Sequence, residues 1–188
     1  MSATLVDLLT AVDSRASALK LIEPGPTRQH LEQIMRACVR APDHGRLRPW
    51  RFVVLEGAAR EKLGHAMARL SLLKFPQSTP EQLESERRKV LRAPTIVVVA
   101  AHITQGKIPE IEQIAAVAAG VENMVLVAQA LGYGAMWKTG AAAYDAEAKT
   151  TLGLSPQDHI VAFLYLGTTA LAGTATPASL DGIVTWPK

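Results

Sequence analysis

The segment Arg40-Ala41-Pro42-Asp43-His44-Gly45-Arg46-Leu47-Arg48-Pro49-Trp50 gathers guanidinium and imidazole donors and an indole ring into one stretch of chain. Guanidinium groups present a rigid fork of N–H donors, so such a segment could hold an anionic, planar ligand. Two further polar clusters stand apart from it: Arg15-Ala16-Ser17 with Lys20, and Trp137-Lys138-Thr139-Gly140. On residue type alone each keeps an ordinary reading. Arg15 and Lys138 could be solvated cations, His44 a capped loop histidine and Trp50 a core residue.

The elements that must position these clusters can be read from periodicity and capping. Leu5, Leu8, Leu9 and Val12 make one apolar helical face behind a Thr4–Asp7 capping box, so the Arg15 cluster begins the next loop. Thr27 caps a second helix running to about Ala41, where Leu31, Ile34, Met35 and Cys38 recur at helical spacing and Pro42 forbids continuation. Arg40 and His44 therefore sit at that helix's exit, ahead of a strand from Arg51 to Leu55. Loops on a rigid scaffold commonly carry function.

A helix over 59–73 comes next, then a charged helix from Pro80 to about Arg92 with Thr79 as its cap. Its Glu84, Glu86, Arg87, Arg88 and Lys89 read as a solvated face, or as a substrate-side excursion. The β-branched run Thr95-Ile96-Val97-Val98-Val99-Ala100-Ala101 predicts an internal strand covered on both faces. A long helix from about Pro109 to Leu131 is apolar nearly all round, placing it in the core or in a dimer interface. Gly132-Tyr133-Gly134 ends it, a short strand comes after it at Ala135-Met136-Trp137, Asp145 caps a further helix closed by Gly153, and Ile160–Leu166 is the last strong strand. Strands alternating with helices predict an α/β or α+β layered sheet in a single domain over 1–188, with 167–188 as a C-terminal extension that wraps over another subunit or the domain surface.

Composition narrows the classes. The chain has 188 residues, of which 48% are hydrophobic, enough for one substantial core. A net charge of +3 with acids interleaved among the bases does not make a nucleic-acid stripe; Arg36, Arg46, Arg48 and Arg51 lack the interleaved aromatics of single-strand binders. The lone Cys38 suits a reducing compartment and packs as a small hydrophobe. His30, His44, His65, His102 and His159 are scattered, so no metal site is expected. The N-terminus lacks a signal-peptide pattern, and the apolar stretch 114–131 is punctuated by Glu122, Asn123 and Gln129, so no membrane association is expected and the cytoplasm is the simplest location.

There is no Gly-x-Gly-x-x-Gly after a strand, no Walker loop, no Gly-x-Ser-x-Gly elbow and no His-Glu-x-x-His pair. The motifs present are a near-N-terminal Arg-x-Ser after one helix, the Ala41-Pro42 to Pro49-Trp50-Arg51-Phe52 segment, a long apolar helix ending Ala130-Leu131-Gly132-Tyr133-Gly134, and a late strand ending Tyr165-Leu166-Gly167. In order and spacing these motifs resemble the nitroreductase family of flavin enzymes, above all its short YdjA-like members, which share Arg40-Ala41-Pro42-Asp43-His44.

The resemblance implies an α+β fold with a central, mostly antiparallel sheet flanked by helices, an intertwined homodimer, and FMN at each subunit interface. It also implies an oxidoreductase in which NADH or NADPH delivers hydride to the flavin and departs, and an acceptor (nitroaromatic, quinone or activated alkene) then takes the electrons in ping-pong fashion. Arg15, Ala16 and Ser17 would meet the flavin phosphate, Arg40 and His44 would reach it from the partner, and Trp137, Lys138 and Thr139 would border the ring. Lys138 is suited to the negative charge that gathers near N1 and C2=O on reduction. Gln129 and Gly132 would border the nicotinamide side, and no side chain need act as a catalytic acid or base. Two departures from the family pattern bear on the phosphate: Ala16 and Leu19 replace the second and last arginines of Arg-Arg-Ser-x-Arg, and the tail holds no cation before Lys188. The alternatives are a related flavoprotein dehydrogenase or a flavin-binding module with little NAD(P)H-linked turnover.

Overall fold

The computed structural model describes residues 5–176 and 178–187. Among these residues six helices, α1 (Leu5–Asp13), α2 (Arg28–Cys38), α3 (Arg60–Lys74), α4 (Pro80–Arg87), α5 (Glu110–Ala130) and α6 (Ala146–Thr151), alternate with strands β1 (Lys20–Ile22), β2 (Trp50–Glu56), β3 (Thr95–Ala101), β4 (Gly134–Lys138) and β5 (His159–Leu171). The strands form one sheet in the order β1-β5-β3-β2, with β4 also paired to β5, and every pairing is antiparallel. This is the α+β architecture that the sequence motifs imply.

Strand alternation sorts the core into two layers. Ile96, Val98, Ala100, Phe163 and Tyr165 face α3 and α6, meeting Leu63, Ala66 and Leu152. Val97, Val99, Ala101, Ala162, Leu164 and Leu166 face α2 and α5, meeting Ile34, Cys38, Val117, Val121 and Met124. Helices thus cover both faces, so β3 is buried throughout and carries a continuous apolar run despite its antiparallel pairing. α5 is long and apolar enough to cross a membrane, yet it lies as the central helix of the second layer. Its buried Gln113 is satisfied: the amide donates to the carbonyls of Thr104 and Ile108 at 3.0 and 3.1 Å, and its oxygen accepts from Thr104 N at 2.9 Å.

Several boundaries depart from expectation for identifiable reasons. α2 ends at Cys38 rather than Ala41, because the turn to Pro42 is made by Arg40 N donating to Ala37 O and Ala41 N to Cys38 O. The charged helix is α4 to Arg87 and then a 3₁₀ turn over Arg88–Arg92, which drops Val90 into the core. β1 was not expected, and β5 runs on to Leu171 because Thr168, Thr169 and Leu171 pair with it. The 167–188 extension therefore begins as strand, and the described residues after Leu171 form no further helix or strand. Thr4 of the expected capping box and the terminal Lys188 lie outside the described residues.

Candidate functional site

The Arg15 cluster is fastened from several sides. Ala18 N donates to Ala135 O in β4 at 3.0 Å and Leu19 N to Leu171 O in β5 at 2.9 Å, which pins the link between α1 and β1 to the sheet. From α5, Glu122 reaches Arg15 Nε at 3.5 Å and Gln129 Nε2 donates to Ser14 Oγ at 3.1 Å. Ser14, Ala16, Gln129, Tyr133, Ala135 and Thr169 enclose a cleft of about 180 Å³, with Ser17 exposed at its side. Gln129 is thereby brought to the Arg15 cluster. Gly132 is not: it is exposed at φ +86°, ending α5 where Tyr133 N donates back to Ala128 O at 2.9 Å.

The third cluster stands at the far end of β4. β3 and β5 slip register between Val99 and Ala100, which leaves Val161 as an extra residue whose carbonyl accepts from the Trp137 indole at 3.0 Å. Trp137 thus locks the sheet while its ring stays partly exposed. Lys138, one residue on, projects to the opposite face and sits 5.9 Å over the Tyr165 ring. Lys138, Thr139 and Gly140 form one wall of a cavity of about 430 Å³. Its floor is Phe163 and Tyr165, α3 contributes Met67, Leu70 and Lys74, and the 3₁₀ turn contributes Lys89 and Arg92.

Electrostatics mark this cavity. Burial pushes the Lys138 ammonium below its ordinary value, and the positive charges of Arg92 and Lys89 push the same way. Burial also drives the Tyr165 phenol up to about 12, with Arg92 opposing. Neither Lys138 nor Arg92 has a carboxylate partner among the described residues, so the cavity wall carries positive charge with little to neutralise it.

The Arg40–Trp50 loop makes a separate patch. Gly45, Arg46 and Arg48 take left-handed conformations at φ 76°, 54° and 52°, and Arg48 N donates to Asp43 Oδ2 at 2.8 Å. Two arginines held there are conformationally costly, and such cost concentrates at functional loops. His44 pairs through Nδ1 with Glu112 of α5 at 2.5 Å, and Arg40 is exposed with no ion pair among the described residues. Trp50 packs in the α2–α5 layer, yet its buried Nε1 has no partner among the described residues. Glu112 and Glu122 lie ten residues apart on α5, so the anchors of the first and second clusters are roughly 15 Å apart along that helix. Among the described residues no three metal-ligating side chains converge; His30 instead meets Tyr133, His102 meets Asp158 and His159 meets Glu110.

Sequence reasoning missed Lys74, Lys89, Arg92 and Tyr165 as lining residues, and Glu112 and Glu122 as anchors. Lys89 and Arg92 gave no signal of their own, because a charge-rich run reads first as a solvated helical face.

Comparison with known proteins accounts for the architecture. Residues 21–168 match the family model described as the nitroreductase family, a span that begins just after the Arg15 cluster. The chain is 35% identical over 172 residues to the "Putative NAD(P)H nitroreductase YdjA" of Escherichia coli K12, covering 91% of this chain and 93% of that one. Its fold superposes with a TM-score of 0.83 on a nitroreductase-like family protein from Bacillus cereus, at 22% identity over the whole of both chains. A nitroreductase with bound FMN from Bacteroides fragilis superposes with a TM-score of 0.73 at 21% identity, covering 97% of this chain and 99% of that one. The chain belongs to the nitroreductase family.

Proposed function

We propose that this chain works as a homodimeric, FMN-dependent oxidoreductase. NADH or NADPH would be its electron donor, and nitroaromatics, quinones or activated alkenes its acceptors, in ping-pong turnover. The observation that carries the reading is Lys138: a partly buried cation at the end of β4, without a carboxylate partner among the described residues and crowded by Arg92 and Lys89, suits a ligand that becomes more negative when reduced.

The donor set fits FMN. Arg15 and Ser17 offer a guanidinium and an exposed hydroxyl for a phosphate, Arg40 offers a second guanidinium without an ion pair among the described residues, and Lys138 with Thr139 offers a cation and a hydroxyl for a pyrimidine edge. With Ala16 and Leu19 where relatives of the pattern carry arginines, Arg15 and Arg40 bear the phosphate charge. When bound, FMN supplies the two-electron chemistry that links nicotinamide to acceptor.

The protein's part is orientation and charge. Trp137 fixes the end of β4 through Val161 and so holds Lys138 in place; Arg15 is steered by Glu122 and the His44 loop by Glu112. Because Arg40 and His44 line neither cavity of their own chain, they serve the site of a second copy. Gln129, at the cleft beside Ala16, borders the nicotinamide side, and Gly132 shapes the turn next to it.

An absorption spectrum of the purified protein, taken before and after anaerobic NADH or NADPH, tests this. Flavin bands that bleach are expected. Flavin that binds without bleaching would favour a binding module or a related flavoprotein dehydrogenase, and failure to take up added FMN would defeat the proposal.

A further inference from the structure

The cavity beside Lys138 has a composition that a cofactor contact alone does not explain. Its volume of about 430 Å³ lies in the range of small-molecule sites. Met67, Leu70 and Phe75 supply its accessible apolar wall, over a floor of Phe163 and Tyr165 whose rings are almost wholly buried. Such a surface gains from covering by a flat apolar body, through area burial and ring stacking.

Around that surface stand Lys74, Lys89, Arg92 and Lys138 against a single lining carboxylate, Glu86. Glu86 is already committed, since Lys89 Nζ donates to both of its oxygens at 2.5 Å. Lys74 is turned over the Phe75 ring at 5.2 Å. Arg92 is left facing the cavity without a carboxylate partner among the described residues, next to the Lys138 that the flavin reading gives to the cofactor, and the repulsion between the two is part of what depresses the Lys138 ammonium. An apolar wall rewards an aromatic body, while an uncompensated guanidinium at its edge rewards one negative charge.

We propose that this cavity is the subsite for the electron acceptor and that it selects planar aromatic carboxylates, with the arene against Met67, Leu70 and Phe75 and the carboxylate on Arg92, beside the Lys138 that serves the flavin. The acceptor role rests on the flavin reading above; the binding site does not. For a nitroarene the net step takes a hydride equivalent from NAD(P)H and a proton from solvent, converts the nitro group to nitroso and releases water, while the carboxylate is unchanged.

Calorimetric titration of the FMN-loaded protein with 4-nitrobenzoate and with the neutral 4-nitrobenzyl alcohol tests the site without turnover. The carboxylate should bind about tenfold more tightly than the alcohol, the scale of one charge-assisted contact. Arg92→Gln should erase most of that preference and Arg92→Lys should restore part of it; equal binding of the two probes, or a preference untouched by Arg92→Gln, would overturn the proposal. So would displacement of 4-nitrobenzoate from the apoprotein by FMN, because the cavity would then be the cofactor's own seat. A protein that bleaches with NAD(P)H but shows no preference keeps the function and loses this site. One that shows the preference without bleaching keeps the site and loses the acceptor role.

Discussion

Replacing Gly120 with alanine probes the contact on which the spacing of α2 and α5 depends. A Cβ at this buried position would stand 2.5 Å from Cys38 Sγ and 2.7 Å from the Cys38 carbonyl oxygen, with the carbonyl carbon at 3.2 Å. Ordinary contact begins near 3.4 Å, so the helices must part by about 0.7 Å, and the carbonyl cannot rotate aside as a side chain would. Overpacking of this kind costs roughly 1 to 3 kcal/mol, with the backbone clash placing it high in that range. Alanine's better helix propensity returns about 1 kcal/mol. The net expectation is a loss of about 2 kcal/mol, or a fall in Tm of about 4–8 °C for a domain of this size. Thermal unfolding should be followed by circular dichroism at one fixed protomer concentration, since association raises apparent stability. Adding Cys38→Ala removes the sulfur contact but leaves the carbonyl, so the double variant should regain only part of the loss. A Gly120→Ala protein within about 0.5 kcal/mol of the parent would refute this account of the helix contact.

The same cysteine gives a chemical test. Its thiol is fully buried and pushed up from 9.0 to about 12, so a disulfide reagent at pH 8 should find no reactive thiol in the native protein and one in the unfolded chain. Because the native state holds a proton that the unfolded chain releases, the thiol's contribution to stability should decline as pH rises from about 9 toward 12 in a denaturant titration. Thr79→Ala should cost about 1 kcal/mol by chemical denaturation, since the Thr79 hydroxyl accepts from Gln82 N at 3.3 Å and Thr79 N donates to Gln82 Oε1 at 2.8 Å. An unchanged midpoint would show that the box does not hold α4. Arg15→Ala should weaken FMN retention by about 1.5 kcal/mol, the lower end for a charged contact, because the side chain is partly exposed and already near Glu122. Unchanged affinity by equilibrium dialysis would remove Arg15 from the site. In a heterodimer with one Arg40→Ala subunit, one tight and one weak FMN site are expected, and two tight sites would exclude a cross-subunit role.

The features legible in the sequence were those that local chemistry decides. Thr27, Thr79 and Asp145 each cap a helix with a side-chain oxygen, accepting from His30, Gln82 and Ala148. The run of β3 was legible because burial on both faces leaves an unbroken apolar stretch. β1 was not: it is three residues long, only Leu21 is buried, and its partner lies almost 150 positions away in the chain. The end of β5 was hidden for the same reason, since Gly167-Thr168-Thr169 reads as a turn until a distant strand claims its hydrogen bonds. Of the site, the clusters could be named from their residue types. Their partition into separate patches could not, because Glu112 and Glu122, which anchor two of them along α5, carry no local signal.

The cationic wall is the instructive case. Lys89 and Arg92 sit in a charge-rich run whose default is a solvated helical face, and as a continued α-helix residues three apart would diverge by about 60° around the axis. The chain instead tightens to a 3₁₀ turn over Arg88–Arg92, where residues three apart eclipse, so Lys89 and Arg92 stack on one side while Val90 is buried. Close approach to α3 favours the tightening: a Cβ at Gly64 would lie 2.6 Å from the Arg87 carbonyl oxygen, so α3 can come near only where it has no side chain. The positive charge beside Lys138 therefore depends on a glycine in one helix and a change of helical pitch in the next.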